Sequence, residues 1–442
     1  MERLPHVRTL LPKNINELHL EDILKETVGH DVHSLLQDCA EDVFQSDLQQ
    51  SSAKSEDLLN FSWEKLNTGH WKDVNIAWRH VYSYASLLKV MSIYGELDED
   101  RDGLQAQLVE RALEACDMGL LMGAPILDNI LSHLARALQK SFKATSSTDH
   151  REVHPKCLLQ EAPVELPSLL QAPVISKQHE IPRVTCPSLL HFYSQFMETK
   201  TPVIIQGAMD HWPAMGARQW SLRYLHEVAG QRTIPIELGA KYTDESWSQS
   251  LMTLSNFITK YIQEKALTQG KDKVGYLAQH QLFHQIPELR DDICVPDYCC
   301  IHDNTDNPNP ISAEDDLEDA TSDDENLDDE VDINAWFGPA GTVSPLHTDP
   351  KHNCLSQVVG EKYIRLYGED MTPSVYPHQS HLLHNTSQVD VENPDVLRFP
   401  LFPSAIYQEA ILRPGEMLYI PRGCWHYVRS LSTSFSVSFW WM

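Results

Sequence analysis

In the stretch "SPLHTDPKHN", Ser344 to Asn353, a histidine stands two residues before an aspartate. On an extended strand, residues i and i+2 point to the same face. His347 and Asp349 would then present an imidazole and a carboxylate side by side, two ligands for a divalent metal. A third ligand has to come from elsewhere. His426 in "IPRGCWHYV" is the best candidate, because it follows a short strand, "MLYIP", which a turn at Pro414 and Gly415 introduces. Two histidines and one carboxylate on one face, with open positions left over, are the facial triad that holds non-haem Fe(II) in oxygenases. The chain has 22 histidines, so a His-x-Asp match alone is weak, and His352, His378, His381 and His384 lie close by. Zinc is the rival metal, although a mixed triad with open positions suits iron better than a closed structural site does.

Lys362 is the second residue with chemical content. In "GEKYIRLYG", alternation puts Lys362, Ile364 and Leu366 on one face and Tyr363, Arg365 and Tyr367 on the other. If the aliphatic pair faces an interior, the ammonium does too, and a buried ammonium is costly unless it meets an anion. A dicarboxylate co-substrate fits, one end on the metal and the other on Lys362. The opposite register would leave Lys362 in solvent and the tyrosines inside.

These residues need a scaffold. "TPVIIQG", "TIPIELG", "INAWFG", "CLSQVVGEKYIRLYG", "EMLYIP" and "SFSVSFWW" are short runs rich in β-branched and aromatic residues, bounded by Gly and Pro. Many short strands with turn signals predict an antiparallel sandwich or barrel, and "VVGEKY" reads as a hairpin turning at Gly360. Upstream, helical spacing links Trp78, Val81, Ala85 and Leu88, then Leu104, Leu108 and Ala112, then Ile126, Ile130, Leu134 and Leu138, with Pro125 suited to a first helical turn. Stacked helical pairs are expected there, with a repeat too weak to name. Between the two halves, a polar run and spaced prolines predict a linker or extended arm.

Composition narrows the function classes. The chain has 442 residues, enough for two or three domains, and no apolar run approaches a membrane span. "MERLPHVRTL" lacks the apolar core of a signal peptide. Nine cysteines without a CxxC pair predict reduced thiols in the cytosol or nucleus, and exclude zinc-finger spacing. The net charge is −28, and residues 303–332 hold 14 acids and no Lys or Arg. Such a chain repels nucleic acid, while Lys- and Arg-rich protein tails fit it as partners. The segment also reads as a solvated, disordered loop that aids solubility.

Taken together, "SPLHTDPKHN", "GEKYIRLY", "PGEMLYIPRGCWHYV" and "SFSVSFWW" resemble the jumonji-C domain of Fe(II)- and 2-oxoglutarate-dependent oxygenases. "TPVIIQGAMDHWPA", Trp220, "YL" at 224 and "IPIELG" match the same family's entry region, so the resemblance covers roughly residues 182–442. "PHQSHLLHNTSQVDVENPD" narrows it to the branch of the bifunctional peptidase and arginyl-hydroxylase type. The implied class is α+β. A helical N-terminal domain (1–145) and a Pro-rich linker (146–181) precede a double-stranded β-helix, jelly-roll or cupin-like catalytic domain (182–442), from which the acidic insertion 303–332 loops out.

The resemblance also implies roles. His347, Asp349 and His426 match the iron triad, and Lys362 the partner of the far carboxylate of 2-oxoglutarate. Tyr276, Ser344, Asn353 and Trp440 match positions lining the co-substrate pocket. Glu237, Tyr242, Trp247 and Trp336 match positions around the substrate side chain, where a carboxylate among aromatics suits a guanidinium. Each aromatic could equally be a packing residue. The acidic insertion looks longer than the family leads one to expect, which puts substrate preference in doubt. Ser322 in "SDDE" suits an acidophilic kinase.

The implied reaction uses Fe(II), 2-oxoglutarate and O2 to hydroxylate an arginine side chain in a protein. Removal of methyl groups from histone lysine is the alternative, and cleavage of histone tails ranks third because no nucleophile arrangement is visible. A non-catalytic scaffold recruiting chromatin or translation partners is the reading from a different class. The expected partners are basic segments of proteins, such as histones, ribosomal or chromatin proteins, without sequence-specific nucleic-acid binding and without a membrane. The nucleus is the implied location, with the cytoplasm as a second compartment.

Overall fold

The protein is described by a computed structural model over residues 4–20, 27–68, 74–99, 104–146, 172–239, 247–264, 274–302, 331–380 and 383–442. Tyr242, Ser322, His381, linker residues 147–171 and insertion residues 303–330 lie outside these ranges.

The N-terminal part is helical, as its periodicity predicts. Helices α1 (His30–Phe44), α2 (Leu48–Leu66), α3 (Ile76–Glu99), α4 (Gln105–Met122) and α5 (Ile130–Ser146) pack in sequence around one core. The Asp47 carboxylate starts α2 by accepting from Gln50 N at 3.2 Å. Helix α3 is central. Val81, Ala85, Leu87, Leu88, Val90 and Ile93 are all fully buried, so the expected single stripe is in fact an apolar face running around most of the helix. The expected start of α5 at Pro125 is corrected. Leu127, Asp128 and Asn129 take φ of +45°, +49° and +60°, a left-handed turn from which a right-handed helix cannot begin, so α5 starts at Ile130. Ile126 still joins the core from that turn.

The C-terminal part contains strands β1 (Arg183–Thr185), β2 (Val203–Gln206), β3 (Thr233–Leu238), β4 (Ser248–Thr253), β5 (Gly275–His280), β6 (Asp332–Gly338), β7 (Val343–His347), β8 (His352–Val359), β9 (Lys362–Tyr367), β10 (Tyr407–Leu412), β11 (Glu416–Ile420), β12 (Trp425–Ser430) and β13 (Ser434–Trp441). They form a nine-stranded sheet, β1-β2-β11-β8-β13-β6-β5-β3-β4, and a four-stranded sheet, β10-β9-β12-β7. Apart from β1 with β2, the pairs of these strands are antiparallel. The two sheets close on a layer of Ile204, Leu355, Ile364, Leu366, Leu412, Leu418, Ile420 and Val428. Phe435, Val437 and Phe439 of β13 face away from that layer, into a larger core with Trp212, Trp220 and Phe257. This is an antiparallel sandwich, as the strand spacing predicts, and with the helical half it makes the α+β, jelly-roll architecture that the resemblance implies.

The β8–β9 connection is not a hairpin. The two strands belong to different sheets, so Gly360 turns the chain from one layer to the other. Its φ is +71°, and a Cβ there would sit 2.0 Å from the Thr433 carbonyl oxygen. Among the described residues, no helix is long and apolar enough to cross a membrane.

Candidate metal centre and pocket

Sheet pairing, more than sequence proximity, brings the three expected ligands together. His347 ends β7 and pairs in register with His426 of β12. Asp349 lies just past the strand, so strand alternation is not what aims it. The chain turns there, and Gly423 N donates to the Asp349 carbonyl at 3.1 Å, tying the loop to the entry of β12. The ligand atoms of His347, Asp349 and His426 lie within 4.8 Å of one another, and among the described residues no other such group of three occurs.

The second ring nitrogens fix the orientation. His347 Nδ1 lies 2.7 Å from the Pro345 carbonyl oxygen, and His426 Nδ1 lies 3.1 Å from that of Cys424. A carbonyl only accepts, so each Nδ1 carries the proton and each Nε2 of a neutral ring turns a lone pair inward. Nε2 of His347 stands 3.7 Å from Asp349 Oδ1, and Nε2 of His426 stands 3.4 Å from Oδ2. Oδ2 is buried without a hydrogen bond. Burial, then His426, holds His347 at about 4, well below the ordinary imidazole value. Burial opposes charge on His426, but the Asp349 carboxylate beside it outweighs that and raises it. Lone pairs and a carboxylate converging in a buried space suit a divalent cation, and this donor set fits Fe(II).

Lys362 is 1% exposed, on the inner face with Ile364 and Leu366 as the alternation predicts. The tyrosines of the other face are also buried, under the loop that packs Val389, Val391 and Phe399 onto the small sheet. The Lys362 Nζ lies 3.4 Å from the Tyr276 hydroxyl, and among the described residues no carboxylate pairs with it. Burial alone pulls its pKa down to about 7. Ser344 hydrogen-bonds Tyr276, whose pKa burial raises. Across the large sheet, Asn353 of β8 and Trp440 of β13 are register partners, and Asn353 Oδ1 and Trp440 Nε1 are buried without partners. The Lys362 ammonium, which has no counter-charge, and the partnerless Trp440 Nε1–H on the other sheet are donors that a bound dicarboxylate would satisfy.

Of the expected substrate residues, Glu237, Trp247 and Trp336 gather around Tyr276, and Tyr242 lies outside the described residues. Glu237 of β3 pairs in register with Tyr276 of β5. Trp247 Nε1 donates to Glu237 Oε2 at 3.3 Å, and the Tyr276 and Trp336 rings are 6.2 Å apart. Burial raises the Glu237 pKa, with the Trp247 bond acting against it. Ser438 shares the Trp440 face by alternation, a signal that marks its position but not its task. Its hydroxyl accepts from Trp336 Nε1 at 2.9 Å and orients that indole. His352 does not join the ligand cluster, and its Nδ1 lies 2.9 Å from the Tyr419 hydroxyl.

Residues 189–442 match a family profile described as "Cupin-like domain", and residues 40–152 match "KDM8-like, N-terminal ARM repeats", which supplies the repeat the helices alone leave unnamed. "Lysine-specific demethylase 8" of Danio rerio is 45% identical over 438 residues, 98% of this chain and 98% of that protein. "Lysine-specific demethylase JMJ30" of Arabidopsis thaliana is 39% identical, over 89% of this chain and 86% of the relative. "Jumonji C domain-containing protein 5" of Drosophila melanogaster is 36% identical, over 87% and 85%. The match covers the helical half as well as the β half, and the chain belongs to the jumonji-C family of cupin-like oxygenases, which in general depend on Fe(II) and 2-oxoglutarate.

Proposed function

We propose that the protein oxidises a C–H bond on a cationic side chain of a protein substrate. The observation that carries this is Glu237: a half-buried carboxylate held by Trp247, with Tyr276 its register partner on the next strand and Trp336 against Tyr276, and with no basic side chain paired to it among the described residues. A carboxylate among aromatic faces attracts a cation by charge and by ring quadrupole.

His347, Asp349 and His426 would hold Fe(II) from one side and leave the other open. Lys362 and Tyr276 would hold the far carboxylate of 2-oxoglutarate, with Asn353, Ser344 and Trp440 completing the wall. When bound, the pair supplies the oxygen chemistry: O2 is consumed, 2-oxoglutarate leaves as succinate and CO2, and one oxygen atom goes to the substrate. The chain's own contribution is to orient the target carbon with Glu237 and Trp336, and to keep water out with the aliphatic layer between the sheets.

Two targets remain within this reading. The names of the relatives back the demethylase reading more directly than the arginine reading that the sequence places first. There the methyl carbon of an N-methyl-lysine is hydroxylated and lost as formaldehyde. Hydroxylation of arginine is the second reading, because a carboxylate can meet a guanidinium through two parallel hydrogen bonds. The substrate would present the cation in a basic segment, in keeping with a net charge of −28.

The test is mass spectrometry of methyl-Lys and Arg peptides incubated with Fe(II), 2-oxoglutarate and ascorbate, with Asp349→Ala as the control. Loss of a methyl group, dependent on 2-oxoglutarate and absent from the control, establishes demethylation. Gain of one oxygen on arginine establishes the second reading. Absence of any turnover, even of 2-oxoglutarate, would leave a scaffold as the better account.

A further inference from the structure

A buried polar cluster joins the two halves of the chain. Asp117 on α4 and Arg232 in the turn before β3 are both fully buried. The guanidinium donates Nη2 to Asp117 Oδ1 at 2.6 Å and Nε to the same carboxylate at 2.9 and 3.2 Å. Thr233 N, the first amide of β3, donates to Asp117 Oδ2 at 2.7 Å. Gln285 Nε2 donates to Asp117 Oδ1 at 2.8 Å and to the Thr233 carbonyl at 2.7 Å, while its Oε1 lies 2.9 Å from Nε2 of His280, the last residue of β5. One carboxylate of the helical half therefore gathers the start of β3 and, through Gln285, the end of β5.

Those two strands carry the pocket at their opposite ends. Glu237 lies four residues beyond Thr233 on β3, and Tyr276 lies four before His280 on β5. The strands pair only at Glu237 with Tyr276 and Leu238 with Gly275, and β5 is irregular where it meets β6, between Leu277 and His280. With so short a ladder between them, the far ends of β3 and β5 diverge unless something else ties them. The Asp117 cluster is that tie. The triad and Lys362 sit on β7, β9 and β12 and the loop after β7, in the other sheet, which the cluster does not touch.

We propose that Asp117 is a positioning residue: the helical half holds β3 and β5 through it and so sets where Glu237 stands in the substrate pocket. The proposal rests on the reading that Glu237 faces substrate. It makes the helical repeats part of the substrate-binding machinery instead of a separately attached module.

The experiment is steady-state kinetics on the full chain with the peptide that the mass-spectrometric test selects, for Asp117→Asn, Glu237→Gln and the double variant. Asp117→Asn is expected to raise the peptide KM about tenfold and the 2-oxoglutarate KM by a smaller factor, because Tyr276 on β5 shares the tie while the triad and Lys362 do not. The double variant is expected to be no worse than Glu237→Gln alone, because both changes act at one point. Asp117→Asn leaves Arg232 without a counter-charge and can compromise folding. The paired change Asp117→Leu with Arg232→Met removes both charges together and leaves none stranded, so it carries the same test. An unchanged peptide KM in that folded pair, or effects that multiply with Glu237→Gln, would make the cluster mere adhesion between the halves and overturn the proposal. If Glu237→Gln itself left KM unchanged, the reading of Glu237 would fall first, and the proposal with it.

Discussion

Lys362 is the residue at which stability and function pull apart. Its ammonium is buried without a carboxylate, so the fold without co-substrate carries the cost of a charge it does not need. Replacing even a buried ion pair by apolar groups of similar volume is often neutral or stabilising, by up to about 1–4 kcal/mol, and a charge without a counter-charge has less attraction to lose. Lys362→Met is therefore expected to raise the midpoint of thermal unfolding while weakening 2-oxoglutarate about thirtyfold or more, on the order of 2 kcal/mol upward. Calorimetry read beside a 2-oxoglutarate titration checks both; a variant that lost stability and kept affinity would contradict the assignment. The pH dependence follows from the same group. Its folded pKa of about 7 lies below the unfolded lysine value of about 10.4, so between these the unfolded chain binds the extra proton. Stability without co-substrate should then rise with pH across that window, by up to about 1.4 kcal/mol per unit from this group, and Lys362→Met should remove that part of the slope. Alternation in "GEKYIRLYG" makes this residue legible, because a lysine in phase with Ile364 and Leu366 goes wherever that aliphatic pair goes. The His347–Asp349 pair is legible for a less secure reason: the spacing suggests a strand, whereas Asp349 is placed by the loop after it.

At the scale of elements, strands and helices are readable from period and their connections are not. Gly360 shows why. A tight glycine turn between two strands serves equally for a hairpin within one sheet and for an arch between two, and local sequence does not separate them. What decides is that β8 pairs with β11 and β13 while β9 pairs with β10 and β12, all contacts distant in sequence. The arch has its own prediction. At φ +71°, with the Thr433 carbonyl oxygen 2.0 Å from where a Cβ would stand, Gly360→Ala should cost more than about 2 kcal/mol. Urea denaturation measures this, and a loss under ~0.5 kcal/mol would mean the arch relaxes freely. Because Lys362 begins the next strand, the same variant should also weaken 2-oxoglutarate without any change to the triad. The left-handed turn at Leu127–Asn129 escapes sequence reading for a related reason: Leu127, Asp128 and Asn129 do not announce positive φ as a glycine would.

The whole molecule adds what no single element contains. Asp117 and Arg232 are 115 residues apart, and nothing in either neighbourhood marks them as partners, since only the packing of the two halves creates the pair. Charge is the opposite case, since it can be counted from the chain directly. Half of the net −28 lies in residues 303–332. For a substrate carried on a basic segment, a field of that sign speeds encounter, and the gain is screened as salt shrinks the Debye length from about 30 Å at 0.01 M to about 10 Å at 0.1 M. Peptide kcat/KM is therefore expected to fall several-fold, on the order of tenfold, across that range of ionic strength. A variant with the 14 acids of residues 303–332 changed to Asn and Gln should start lower and fall less. The turnover of 2-oxoglutarate without peptide should not respond to that change, because Lys362 and the triad meet their ligands inside the jelly roll, where salt screens little. Equal salt dependence in the two proteins would show that the acids of this segment play no part in substrate capture, and would move the electrostatic contribution to the pocket itself, where Glu237 would have to supply it alone.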